Sequence, residues 1–192
     1  GKPLVFCGTV GLIPKKINKK LSHIKKANHN DLIIMVGGRV GKDGIHGATF
    51  SSEELDPNSP VSAVQIGDPI TQKKLSDVII KELRDRDLYT SITDNGAGGL
   101  SSSIGEMAKE SGGFIVNLEK IPLKYKGLYP WEIWISESQE RMTLAVKPEN
   151  VNSVVKIFKQ RGVEATIIGK FTKQKKAVVK YNKTVVLNLD IN

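Results

Sequence analysis

The segment Asp31-Leu32-Ile33-Ile34-Met35-Val36 restricts the folds open to this chain more than any other, because it is a nearly continuous apolar run bounded by Asn30 and Gly37. A half-buried strand alternates polar and apolar residues. A run that is apolar at almost every position, and this short, reads as a buried central strand. It delivers the chain straight into Gly37-Gly38-Arg39-Val40-Gly41-Lys42-Asp43-Gly44-Ile45-His46-Gly47. Glycines tolerate positive φ and let backbones approach closely, so successive amides can converge on an anion. Arg39, Lys42 and His46 add positive or donor groups. The spacing is not that of a nucleotide-binding Gly-Lys-Ser/Thr loop, nor of a dinucleotide fingerprint leading into a helix. On its glycines alone the stretch reads as a long flexible turn, and a lone His46 as a structural histidine.

Two further stretches are unusual. Tyr89 to Thr93 reads as a short strand ending at Asp94. Gly96, Gly98 and Gly99 follow, and then a helix from about Leu100 to Ser111 that Gly112-Gly113 terminates. A strand, a carboxylate, a glycine turn and a helix N-terminus make a ready place for a metal-bound phosphate; the plainer alternative is Asp94 as a turn residue. Ser136-Glu137-Ser138-Gln139-Glu140-Arg141 sets two hydroxyls, two carboxylates, an amide and a guanidinium in consecutive positions. An unbroken polar run does not suit a half-buried strand. It suits a backbone presenting several hydrogen-bonding groups to one ligand, or else a solvated connection.

The remaining elements fall around these. Pro3 to Ile13 reads as a strand that turns, and Ile17, Leu21 and Ile24 as a short surface helix or a lysine-rich loop. Ser51 to Pro60 reads as a surface loop and Val61 to Ile66 as a short strand. Asp68 is placed to cap a helix opened by Pro69, with Ile70, Leu75, Val78, Ile79 and Leu83 as its apolar stripe. Phe114 to Leu118 is a strand and Tyr129-Pro130-Trp131 begins a short helical segment. Met142 to Val146 is a strand, and Pro148 to Gln160 is a helix stopped by Gly162. A closing β-meander runs through Glu164 to Ile168, Ala177 to Tyr181 and Thr184 to Leu189, with an Asn182-Lys183 turn. This order argues for one α/β (α+β) domain over residues 1–192, with a mixed sheet and helices packed mainly on one side.

The single cysteine, Cys7, rules out an internal disulfide and a multi-cysteine metal site, and fits a reducing compartment. No apolar run approaches the roughly 18 residues of a membrane-spanning helix. The net charge of +9 comes from lysines clustered at Lys15, Lys16, Lys19, Lys20, Lys25 and Lys26 and again at Lys170, Lys173, Lys175 and Lys176. A basic face could hold nucleic acid, but aromatics are only 6% and are not interleaved with those lysines. A nucleic-acid partner is therefore disfavoured, though a non-enzymatic basic module stays as an alternative class.

Asp43-Gly44-Ile45-His46-Gly47-Ala48, Gln65-Ile66-Gly67-Asp68-Pro69, Asp94-Asn95-Gly96-Ala97-Gly98-Gly99-Leu100 and Ser136-Glu137-Ser138-Gln139-Glu140-Arg141-Met142 resemble one family. It is the large subunit of phosphoribosylformylglycinamidine synthase, the amidotransferase step of purine synthesis. The motifs stand in that family's order and at about its spacing, from Pro3 to about Leu189. The resemblance implies an internal fragment of a longer synthase, matching the first of its two AIR synthase-related C-terminal-type domains; the opening Gly1-Lys2, without methionine, agrees. It implies a cytoplasmic ligase that converts formylglycinamide ribonucleotide, ATP and glutamine-derived ammonia to the amidine, with a glutaminase subunit and a small accessory subunit as partners. ATP phosphorylates the formamide oxygen and ammonia displaces phosphate, which needs Mg2+ and exclusion of water.

Carried over by motif, Asp94 is the Mg2+ ligand, and Gln65, Glu137, Ser138 and Gln139 contact the substrate. The family's catalytic histidines and most of its ATP contacts lie in a preceding domain, so no catalytic residue is expected here and the isolated chain should be inactive. Leu123-Lys124-Tyr125-Lys126 departs from the family's arginine-containing run. Aminoimidazole ribonucleotide and selenophosphate synthetases share the fold, and the Ser136 to Met142 run argues against them.

Overall fold

The structure, a computed structural model, describes residues 8–45 and 67–191. The expected loop over Ser51 to Pro60, the strand over Val61 to Ile66, and Cys7, His46 and Gln65 lie outside the described residues. Gly8 to Ile13, the described part of the first expected strand, has no regular structure, and Val10 and Leu12 are fully exposed. Nothing among the described residues pairs with it to make a ladder.

A hairpin of β1 (Lys16–Ile17) and β2 (Lys20–Leu21) follows. Asn18 and Lys19 at its tip both have positive φ, 47° and 68°, the geometry a two-residue hairpin turn demands. The helical alternative for Ile17, Leu21 and Ile24 is thus corrected. A few apolar residues among lysines bury too little to hold a helix, and Asn18 tolerates the turn.

The main sheet has seven strands in the order β4-β6-β3-β7-β5-β8-β9. They are β3 (Leu32–Gly37), β4 (Ser91–Asp94), β5 (Phe114–Asn117), β6 (Arg141–Val146), β7 (Ala165–Phe171), β8 (Lys176–Tyr181) and β9 (Thr184–Asp190). β3 lies inside it, antiparallel to β6 and β7. β5 and β8 pair parallel, so the sheet is mixed, as expected.

Successive side chains of β3 point to opposite faces. Ile33 and Met35 join a core with Leu100, Ile104, Met107 and Ile133. Ile34 and Val36 join another with Leu75, Val78, Val154 and Phe158. Each is buried to within 2% and is worth about 1.5–3 kcal/mol on that account. Helices α1 (Pro69–Val78) and α4 (Val151–Gln160) therefore cover one face, and α2 (Gly99–Ser111) and α3 (Pro130–Ile135) the other. The helices, expected mainly on one side, divide between the two, because a strand apolar on both faces needs cover on both.

Asp68 caps α1 as expected, its Oδ1 accepting from the amides of Ile70 and Thr71 at 3.0 and 3.1 Å. The helix widens into a π-helical turn over Ile79–Leu83. Ile70 leaves the expected stripe and is 66% exposed. It stands five residues before Leu75, about 140° around the helix.

The closing strands do not form a simple meander, because β5 is inserted between β7 and β8. The short link from β7 to β8 crosses the start of β5 at Gly113. A Cβ on Gly113 would lie 2.7 Å from the Lys176 carbonyl and 2.9 Å from Thr172 Oγ1, so glycine lets the chain cross there. No helix among the described residues is long and apolar enough to cross a membrane.

Candidate ligand site at the strand ends

β3 and β4 lie on either side of β6 and both run antiparallel to it. Gly37 faces Arg141 and Asp94 faces Met142. The C-terminal ends of β3 and β4 and the start of β6 therefore share one edge, and all three unusual stretches emerge there.

The polar run begins where α3 ends. Ser136 and Ser138, two residues apart, are both fully buried. The Ser136 hydroxyl donates to the Gly41 carbonyl at 2.7 Å, and the Gly41 amide donates to Ser138 Oγ at 3.0 Å. The two hydroxyl oxygens lie 3.0 Å apart. The Gly38 amide donates to the Glu140 carbonyl at 2.9 Å. A Cβ on Gly37, whose φ is +104°, would stand 2.0 Å from that same oxygen. The glycine loop is thus zipped to the polar run by its backbone, which its lack of side chains permits.

The Asp94 turn closes on the run from the other side. Glu137 is buried, and its Oε1 accepts from the Gly98 amide at 3.0 Å. Gly99 has φ +55° and sits so close that a Cβ would be 2.0 Å from the Ser136 carbonyl oxygen. Behind the turn, the side-chain oxygen of buried Asn95 accepts from Ser103 Oγ at 2.6 Å and Thr143 Oγ1 at 2.9 Å, and its backbone N–H donates to the Arg141 carbonyl at 3.2 Å. This network holds Asp94 at the strand end.

Asp94 itself is exposed, with Oδ1 accepting from the Gly96 amide at 2.9 Å. Its other carboxylate oxygen has no protein partner among the described residues. No group of three metal-binding side chains occurs among those residues either. One open carboxylate oxygen without a protein cage suits Mg2+, which takes one or two carboxylates and fills its shell with phosphate oxygens and water.

The expected site residues divide in role. Asp94 and Glu137 flank the same glycine turn. Gln139 is half-buried, its amide nitrogen donating to the Glu137 carbonyl at 3.0 Å. It lines a cleft of about 320 Å³ together with Arg39, Thr71 and Lys124. Ser138 has its hydroxyl engaged by the glycine loop.

Three features escaped sequence reasoning. Residues 121–125 brace the glycine loop: the Val40 amide donates to the Pro122 carbonyl at 3.0 Å, and Lys124 Nζ reaches Asp43 at 2.8 Å. Burial pushes the Asp43 carboxyl up, but the bonds from Lys124 and Ser138 outweigh it and hold the group below the ordinary carboxylate range. Arg141 is only 3% exposed, and burial pulls its guanidinium down to about 10. The i, i+2 spacing of Ser136 and Ser138 was the available signal for hydroxyls sharing one side of an extended backbone. Lys20, Lys25, Lys26 and Lys147 border a separate groove of about 590 Å³ along the outer edge of β4.

The arrangement is that of a domain which gathers three loops, with an open carboxylate among them, at one end of a mixed sheet. The chain belongs to the AIR synthase related protein, C-terminal domain family, whose model matches residues 28–182. It is similar to phosphoribosylformylglycinamidine synthase subunit PurL of Methanopyrus kandleri, 39% identical over 188 residues, covering 96% of this chain and 25% of that protein. The same subunit of Thermoanaerobacter sp. is 43% identical over 175 residues, covering 90% of this chain and 23% of that protein. The chain thus spans about a quarter of the length of these curated relatives. Among solved structures, T. maritima PurL complexed with FGAR superposes with a TM-score of 0.81 at 31% identity, over 90% of this chain and 29% of that one. The hydrogenase maturation protein HypE of E. coli, at 19% identity and a TM-score of 0.56 over 86% of this chain and 51% of that one, shares the fold.

Proposed function

We propose that this chain is a substrate-binding domain of a phosphoribosylformylglycinamidine synthase, acting on formylglycinamide ribonucleotide with ATP and with ammonia delivered by glutaminase and accessory subunits. The observation that carries the reading is the pair of carboxylates on one turn, Asp94 bonded to the Gly96 amide and Glu137 to the Gly98 amide. The turn lies at the strand ends where the glycine loop and Gln139 also arrive. The similarity to PurL complexed with FGAR and with ATP supports the choice of ligands.

Bound Mg2+ would neutralise phosphate charge during phosphoryl transfer. Asp94 would hold it through its open carboxylate oxygen. Glu137, fixed by the Gly98 amide, presents acceptor lone pairs to sugar or amide donors of the substrate. Gln139 offers an amide that both donates and accepts. Gln65 belongs to the same reading through the motif that precedes α1. Ser138 acts through the glycine loop, whose Gly41 it anchors. The groups that move protons would come from another domain, so this chain alone should form no amidine.

The test is Glu137→Gln in the full synthase, a change that keeps the shape and one acceptor and removes the charge. The KM for formylglycinamide ribonucleotide should rise while the Mg2+ requirement stays put. A raised Mg2+ requirement would move Glu137 to the metal, and no change in either would take the polar run out of the site.

A further inference from the structure

Arg141 has a position that the roles above leave unexplained. Its guanidinium is buried beneath the polar run, with no carboxylate within ion-pair distance among the described residues. Nε donates to the Ser138 carbonyl at 2.7 Å, and one terminal nitrogen donates to the Ser136 carbonyl at 2.5 Å. The other terminal nitrogen lies 4.0 Å from the sulfur of Met35 on β3. The more distant Asp43 carboxylate favours the charge but burial outweighs it. A buried charge without an ion-pair contact costs stability, and well-packed apolar residues commonly replace buried ionic groups at no loss. A stability role alone is therefore a poor reason for a guanidinium here.

The geometry supplies another. The fork takes the carbonyls on both sides of Glu137 and turns them inward, toward the sheet. With residues 136 and 138 tied down, Glu137 between them is aimed at the Gly98 amide, and Gln139 is sent on toward the cleft. Lysine carries the same charge but lacks the planar fork that bridges two acceptors at fixed spacing.

We infer that Arg141 is the positioning residue of this site, clamping the carbonyls of Ser136 and Ser138 so that Glu137 and Gln139 are held ready for the ligand. The inference rests on the functional reading above for the identity of that ligand, but the clamp is measurable without it.

The experiment compares wild type, Arg141→Lys and Arg141→Met in the full synthase. The first readout needs no substrate: amide hydrogen exchange across residues 136–140 should speed up in both variants, while exchange in β3 and β7 stays as in wild type. The second is kinetic. Both variants should raise the KM for formylglycinamide ribonucleotide roughly 10- to 100-fold, the scale of loss when a binding group is displaced by about 1 Å, with a smaller change in kcat. Arg141→Lys with wild-type loop exchange and KM would overturn the inference, because the charge alone would then suffice. So would a lowered Tm at unchanged loop exchange and KM, which is the mark of a merely structural residue. If loop exchange responds but wild type shows no turnover of this substrate, the clamp stands and the functional reading falls. If neither variant folds, 15N-arginine-labelled wild type decides: Nε–H of Arg141 should exchange slowly with solvent, and exchange at the rate of an exposed arginine would sink the proposal.

Discussion

Gly99→Ala is the substitution that most directly probes how the site is assembled. Gly99 starts α2 at φ +55°, a conformation that costs a residue with a Cβ roughly 1–2 kcal/mol. The added methyl would stand 2.0 Å from the Ser136 carbonyl oxygen, 2.9 Å from its carbon and 3.1 Å from the Ile135 carbonyl carbon. All three are backbone atoms, so no side chain can swing away. The start of α2 and the Ser136 turn must separate by about an ångström, and such overpacking typically adds 1–3 kcal/mol. The expected loss is about 2–5 kcal/mol, a drop in Tm of at least about 4 °C for a chain of this size. Gly105→Ala, in the middle of the same helix with nothing within 4 Å of the added methyl, is the control. It should gain about 0.5–1 kcal/mol. Thermal unfolding of the two variants followed by circular dichroism makes the comparison. Equal Tm values for Gly99→Ala and Gly105→Ala would refute the contact between the glycine turn and the polar run.

Asp94→Asn should cripple Mg2+-dependent turnover and shift stability by no more than about 0.5 kcal/mol, because the side chain is exposed and the amide oxygen still accepts from Gly96; turnover with normal Mg2+ dependence would remove Asp94 from the site. Gln139→Leu should lower kcat/KM by roughly ten- to a hundredfold, matching about 1–3 kcal/mol for substrate groups left unpaired; normal kinetics with a large fall in Tm would make Gln139 structural. The Asp43–Lys124 pair should stabilise the fold most above the unfolded carboxyl pKa of about 4 and lose its effect as pH falls through the lower folded value. The Tm gap between wild type and Lys124→Met should therefore shrink from neutral pH to about pH 2; a gap that widens on acidification contradicts the pairing.

Much of this protein was legible in its sequence because the signals were local. The apolar run at Leu32–Val36 gave away β3, Asp68-Pro69 the start of α1, and Gly112 and Gly162 the ends of α2 and α4. Each rests on one or two neighbouring residues: a cap, a missing amide, a φ that only glycine adopts at low cost. The three unusual stretches were visible as exceptions to those same rules. What the sequence did not disclose depends on pairing between distant residues. That both faces of the sheet carry helices follows from which side chains of α1 to α4 reach Ile33 or Ile34. The insertion of β5 between β7 and β8 depends on strand registry across more than fifty residues of chain. The division of the polar run was equally hidden, with Ser136, Ser138 and Arg141 turned inward and Gln139 toward the cleft. Its cause is the hydrogen-bonding need of the glycine-loop backbone around Gly41, about a hundred residues away in sequence, which only the folded sheet brings against it.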